Sequence, residues 1–460
     1  EINFDAIEAN NIVTADANGN GNFGSSYLRR ASVNNHNWYG LLSNLNYEVN
    51  ENWAFNVGFD TRLYRGDHFR QLINKFGLNG YVDNFNASER PSDYVISETF
   101  EANPWDALFN FADENQRYDR DYSENINYIG GFGQAEFSKG AFSAFLQGAV
   151  STQSYQREGR LSGAGDGLGK SEKLNKLGYQ AKGGLGYELN EKHSIFANAG
   201  YFSRQPFLDN VFANIRYSNA IIEPEVENEK VMGIEGGYRF KGNNFRFNLD
   251  IYNTEWGNRF LSVNGPAQPN DETSTYRITD VTQIHRGVEW DFEYLSDSRV
   301  WSLRHYGSLG NWKYDGETPY TLQNDDTGNF ITTNGNVDLT GVKVGEAPQT
   351  SFGFGTRLNI VEGLSIDMDY NIYTDLYEFV DPENVASEAL AGGQYESVKL
   401  PAYTLADAGL TYKFRLGENT LTFRGNVYNL FNESYINQRN AFGYYLGIGR
   451  TWNTSLRYNF

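Results

Sequence analysis

The run AGDGLGKS at 164–171 stands one residue away from a phosphate-cradling loop, with Ala164 where G-x-x-x-x-G-K-S has its first glycine. Such a loop works between a strand and a helix whose N-terminal amides face the phosphate. Here Lys176–Leu189 alternates as a strand does, so a surface loop is the better reading. The five histidines, at 36, 68, 193, 285 and 305, show no HxxxH or HExxH spacing of the kind that puts two imidazoles on one helix face for zinc. Nothing in the order of residues links a Ser or Asp to a His, so no hydrolytic machinery is visible. The chain reads as a non-enzyme with no cofactor and no bound metal. Two acidic runs, DENQRYDRDYSEN (113–125) and NDDTGN (324–329), could offer oxygen ligands to a divalent cation. Neither matches an EF-hand, and solvated loop charge accounts for both.

Binding chemistry is better served. The stretch 66–123 carries eleven aromatic residues, and side chains of this kind supply large contact area at low entropic cost. Tyr94, Phe100, Trp105, Phe109 and Tyr118 are the candidates for gripping a bulky ligand. A loop this long also needs a core of its own, so for any one ring packing competes with binding.

The elements that must position these residues are strands. In LGYQAKGGLGYEL, Leu177, Tyr179, Ala181, Leu185 and Tyr187 fall on one face and Gln180, Lys182 and Glu188 on the other. LSIDMDYNI separates Ile366, Met368 and Tyr370 from Asp367 and Asp369 in the same way. Short turns at 50–52, 138–140, 190–193, 241–244, 296–298, 361–363 and 417–419 alternate with long loops near 66–123, 158–175, 204–226, 262–274, 316–348, 378–399 and 433–447. Short turns at one end and long loops at the other are the layout of an antiparallel transmembrane β-barrel, here with about 15 strands. A soluble sandwich or propeller also alternates, but its apolar face would favour Val, Ile and Leu over the Tyr, Phe, Trp and Gly found here. The polar face carries Arg357, Asp367, Asp369, Arg424 and Arg457, besides Arg62, Arg239, Glu289 and Asp291. So many charges cannot fill a dry core unpaired, but they can line a wet lumen.

Composition agrees. The 460 residues include 32 Tyr, 32 Phe and 48 Gly, with no long apolar run of the roughly 20 residues that a membrane helix needs. A net charge of −20 argues against nucleic acid as a partner. With no Cys, disulfides and thiolate metal sites are excluded. The opening EINFDAIEANNIVTADANGNGNFGSS reads as a polar loop.

NVYNLFNESY (426–435) with GIGRTWNTSLRYNF (447–460) resembles the C-terminal end of TonB-dependent outer-membrane receptors, in the version of the Bacteroidota. NWYGLLSNLNYEVNENWAFNVGFDTRLYRG, NEKHSIFANAGYFSRQPFLDNVFAN, VGEAPQTSFGFG and LPAYTLADAGLTY are similar to other segments of that group. The resemblance runs from about Asn37 to Phe460 and implies a 22-stranded barrel of which about 15 strands are present. On this reading 1–37 belongs to an extracellular loop and 38–460 to the C-terminal part of the barrel. The family's plug and first strands have no counterpart in the sequence. The family's last strand is read by the barrel assembly machinery, and that signal would map to Trp452, Leu456, Tyr458 and Phe460. The resemblance further implies the outer membrane of a Gram-negative bacterium, with lipid and lipopolysaccharide around the barrel. It implies contact with the TonB complex through an N-terminal region, and leaves room for a surface lipoprotein partner. The expected function is import of a scarce nutrient: a siderophore or other metal chelate, an oligopeptide, a glycan or cobalamin. The alternative is a receptor or structural barrel whose loops hold a partner protein without transport.

Overall fold

The computed structural model describes residues 2–18, 27–86, 88–91, 93–103, 105–161, 163, 166–223, 225–269, 273–325, 329–380, 385, 395–440 and 443–460. Fifteen strands follow one another: β1 Arg29–Asn50, β2 Trp53–Asn74, β3 Tyr118–Lys139, β4 Phe142–Leu161, β5 Leu174–Asn190, β6 His193–Arg204, β7 Glu229–Lys241, β8 Phe245–Asn264, β9 Ser274–Leu295, β10 Trp301–Asp315, β11 Thr350–Val361, β12 Leu364–Thr374, β13 Tyr403–Leu416, β14 Asn419–Tyr428 and β15 Thr451–Asn459. Each pairs antiparallel with the next. Three shorter strands extend the sheet at its loop end. Gly169–Lys170 pairs with β4, and Glu317–Asn324 continues the edge of β9 and forms a hairpin with Phe330–Asp338. Among the described residues no pairing joins β1 to β15.

Register fixes which face each side chain takes, because directly opposed residues point the same way. On β12 and its neighbours, Met368 lies opposite Thr356 and Ala408, while Asp367 lies opposite Arg357 and Gly409. Ile366, Met368 and Tyr370 are exposed on the outer face, the face expected to meet lipid, and Ser365 on the inner face is buried. The same parity sends Leu63, Leu146, Leu185 and Leu456 outward. His305 also faces outward, stacked on Phe354 with ring centroids 4.4 Å apart. Its Nε2 accepts the indole N–H of Trp290 at 3.1 Å, so its Nδ1–H donates to the Gly353 carbonyl at 3.0 Å. Both ring nitrogens are thereby satisfied, which is what an apolar setting demands.

Two expectations need correction. The opening segment is not loop throughout: Phe4–Asn18 is an α-helix, and β1 begins at Arg29 rather than near Trp38. The Asn3 side chain caps the helix by accepting the Ala6 amide at 3.0 Å. Its covered stripe runs through Ile7, Asn11 and Ala15, so the residue at its centre is polar, and a search for apolar periodicity passes over it. Asn11 is fully buried, donating to the carbonyls of Tyr27 (2.7 Å) and Phe76 (3.2 Å) and accepting the Tyr27 amide (3.1 Å). The long loops are also shorter than expected. β2 and β3 run on to Asn74 and back from Tyr118, and 316–348 is largely the extra hairpin. The seven short turns stand where the sequence puts them.

Candidate functional site

The loop end of the barrel is partly filled by its own loops. Tyr155 and Arg157 sit on the inner face of β4, opposite Ile126 and Glu124. The loop 205–228 folds in against them. Leu208, Val211 and Phe212 pack on Tyr155, whose hydroxyl donates to the Pro206 carbonyl at 2.6 Å. Arg157 is fully buried, and among the described residues no carboxylate lies within ion-pair distance of it. Its guanidinium donates instead to the carbonyls of Ile215 (2.7 Å), Arg216 (2.7 Å) and Gly167 (2.6 Å) and to Asn219 Oδ1 (2.8 Å). A dry cation is tolerated because its planar fork of donors finds acceptors on every side. Sequence reasoning missed Arg157. Its place in the alternation marks it as inward, but only the tucked loop makes it a pin.

Around this pin the inner wall is polar. His68 on β2 approaches Glu124 on β3 at 3.4 Å, and its other nitrogen meets Asn34 Oδ1 at 2.7 Å. Asp209 of the tucked loop lies within electrostatic range of both Glu124 and His68. Closer to the rim Arg70 forms an ion pair with Asp119, which also accepts the Tyr217 hydroxyl at 2.9 Å. Burial and the Asp119 charge push the Tyr217 phenol up to about 12. Asp119 has φ 61°, at a bulge where β3 carries two residues beyond those that oppose β2.

The loop joining β2 to β3 has a core of its own. Tyr118 is 2% exposed among Leu72 and Ile96, with Tyr94 half-buried beside it. The Tyr94 hydroxyl donates to the Asn115 carbonyl at 2.9 Å, and Arg90 stacks over its ring. Asp83 is held by Arg90 and Asn86, both at 2.9 Å, and its burial still raises the carboxyl above the ordinary range. Phe100 is half-buried. Trp105 and Phe109 lie outside this core, 80% and 88% exposed. The five aromatic candidates are therefore not brought together: Tyr94 and Tyr118 build the loop, and Trp105 and Phe109 form a free tip. That tip is tied to the outer wall, since Phe111 packs on Phe69 and the Ala112 amide donates to Gln71, both on the outward parity of β2.

Further down, the lumen wall is stitched by arginines that reach over glycines. Arg424 crosses Gly409 to hold both oxygens of Asp367, with one contact at 2.7 Å. Arg304 crosses Gly355 to Asp369 at 2.8 Å. A Cβ at either glycine would collide with the ion pair. Arg357, which faces Asp367 in register, bonds Ser365 at 2.8 Å instead. Arg457 lies opposite Thr422 on the same inner face, and Trp452, Leu456 and Tyr458 point outward. Among the described residues no group of His, Asp and Glu is arranged to hold a metal. Part of the 164–171 run and part of the acidic run at 324–329 lie outside the described residues.

Residues 3–430 match the family model described as TonB dependent receptor-like, beta-barrel. The chain belongs to that family. No curated protein matches the sequence. Among solved structures it is similar to the copper transporter OprC (TM-score 0.60, 13% identity, 93% of this chain and 57% of that one). It is similar also to the closed form of the ferric-catecholate import receptor Fiu of E. coli K12 (TM-score 0.55, 14% identity, 93% and 55%). A third is BauA, the ferric preacinetobactin receptor of Acinetobacter baumannii (TM-score 0.52, 15% identity, 95% and 57%). Identities this low speak for the fold. The chain spans a little over half the length of these relatives.

Proposed function

We propose that this chain supplies the barrel of an active importer in the outer membrane of a Gram-negative bacterium. A scarce nutrient would bind at the loop end and pass through the lumen on energy delivered by the TonB complex. The observation that supports this most is the tucked loop 205–228. It folds over a lumen lined by charges rather than a packed core, which suits a guarded passage better than a structural barrel. Membership of the receptor family and likeness to proteins titled as copper and ferric-chelate transporters favour the same reading. Metal chelates, oligopeptides, glycans and cobalamin remain the cargo classes to test. The experiment is accumulation of labelled candidates by cells that lack this gene, lack TonB, or lack neither. Import requires that one candidate be lost equally in both mutants. A second reading, a receptor that holds a partner protein without transport, draws on the exposed tip of Trp105, Leu108 and Phe109. It predicts that no nutrient is lost, and that Trp105→Ser with Phe109→Ser abolishes capture of the partner.

A further inference from the structure

We propose that Arg70, Arg120 and Arg216, with Arg30 beside them, form a receptor on the inner wall of the mouth for a compact, water-borne polyanion bearing two or more carboxylate or phosphate groups. The inference rests on the transport reading and narrows its substrate class. Arg30, Ser32 and Arg70 lie on the inner parity of β1 and β2, where Ser32 faces Arg70 directly. The bulge of β3 carries Arg120 to the same wall, where one guanidinium nitrogen bonds the Ser32 hydroxyl. Arg216 comes from the tucked loop, and the Arg157 pin holds its carbonyl and so fixes where its side chain starts.

Arginines crowd against one another here, in a chain of net charge −20. Lower down the lumen, Arg424 pairs with Asp367, Arg304 with Asp369 and Arg239 with Asp250, while Arg357 bonds Ser365. At the mouth Asp119 is already shared by Arg70 and Tyr217, and Asp209 lies within electrostatic range of Arg216 without forming an ion pair with it. Arg30, Arg120 and Arg216 have no carboxylate within ion-pair distance among the described residues. The Nε of Arg120 is buried with no hydrogen-bond partner among the described residues, and its charge is repelled by both Arg70 and Arg216. A purely structural bond to Ser32 would need one arginine, with no like charges drawn around it. Guanidinium forks whose donors are unspent and which converge on water match the geometry of carboxylate and phosphate oxygens, which they take two at a time. The site faces the lumen, so its ligand arrives from solution and not from the lipid leaflet.

Calorimetric titration of the intact receptor in detergent, with 1,2,3-propanetricarboxylate and with pyrophosphate, tests this. Sucrose serves as the neutral control, and heat-modifiable gel mobility confirms that each variant is folded. At least one polyanion should bind, more weakly as salt rises, and sucrose should not. Arg120→Gln and Arg216→Gln should each weaken binding by about tenfold, the usual cost of one charged hydrogen-bond partner. Arg120→Lys should retain part of the affinity. Arg246→Gln, at the turn end, should bind as wild type. The inference is overturned if neither polyanion binds the folded protein, if both Gln variants bind as wild type, or if Arg246→Gln loses as much as they do. Binding that depends on Arg120, in cells that show no TonB-dependent uptake, would sink the transport reading and leave this site standing. TonB-dependent uptake of some nutrient, with no binding of either polyanion, would do the reverse.

Discussion

At the scale of single residues, two buried charges govern the loops. Arg157 reaches Ile215, Arg216, Gly167 and Asn219 at once. Arg157→Met keeps much of the volume and removes every donor. Hydrogen exchange across 205–228 should then quicken by at least roughly thirtyfold, about 2 kcal/mol, while β4 and β5 stay protected. Unchanged exchange in the loop would show that Tyr155 and its apolar partners hold it unaided. Asp83 works with the opposite sign. Its carboxyl is raised by burial, although Asn86 and Arg90 pull it down, so the folded loop binds its proton more tightly than the opened loop does. Stability from this group is therefore highest below the ordinary carboxylate range and declines as pH climbs through the raised value. Protection of 75–117 should fall over that window in wild type, and Asp83→Asn should flatten the fall. A wild-type loop that gains protection with rising pH there would contradict the assignment.

At the scale of elements, the alternation in LSIDMDYNI divides Ile366, Met368 and Tyr370 from Asp367 and Asp369, and the strand pairing keeps that division, because a period of two leaves only two choices. Partners were not legible in the same way. Arg357 is the direct neighbour of Asp367, yet Arg424 takes it from two strands away by crossing Gly409, and a one-dimensional pattern carries no information about reach. Helix Phe4–Asn18 escaped for a related reason, its central buried residue being an asparagine whose partners lie 16 and 65 residues off. From these faces, Met368→Arg should sharply reduce the heat-modifiable form in isolated outer membranes, since an arginine near the bilayer midplane costs about 2–4 kcal/mol. Asp367→Asn should assemble nearly normally, keeping a polar partner for Arg424. Gly409→Val should fall between them by evicting that arginine from its crossing. If Asp367→Asn fails while Met368→Arg inserts, the register of β12 is inverted.

At the scale of the whole molecule, the chain's plan was readable because its turns announce themselves. The NEN, NEKH and VEG turns punctuate long alternating runs, and among the described residues fifteen consecutively paired strands, with three more at the loop end of the same sheet, stand where the sequence predicts about 15. The loop end was only half readable. Its aromatic richness was visible, but which rings pack and which stay free depends on strands that run further than the sequence marks and on loops that fold back over them. Orientation can be checked with single cysteines in intact cells, since these 460 residues have none of their own. A cysteine at Ser88 should react with an impermeant maleimide and one at Asn190 should not; the reverse pattern would turn the barrel over. Removal of Phe460 should lower the amount of assembled receptor and leave ligand affinity intact in what remains. Normal amounts with lost affinity would remove the assembly role.

One side chain closing the mouth has a consequence in time. Arg157 gathers the backbone of 215–216 and the turn at Gly167 onto a single guanidinium, so these segments cannot let go one by one. When that group departs, its acceptors are released together, and when it returns they are recaptured together. The tucked loop should therefore show two distinct lifetimes, held and free, with exchange between them in the microsecond-to-second range of local unfolding rather than the nanosecond drift of an ordinary surface loop.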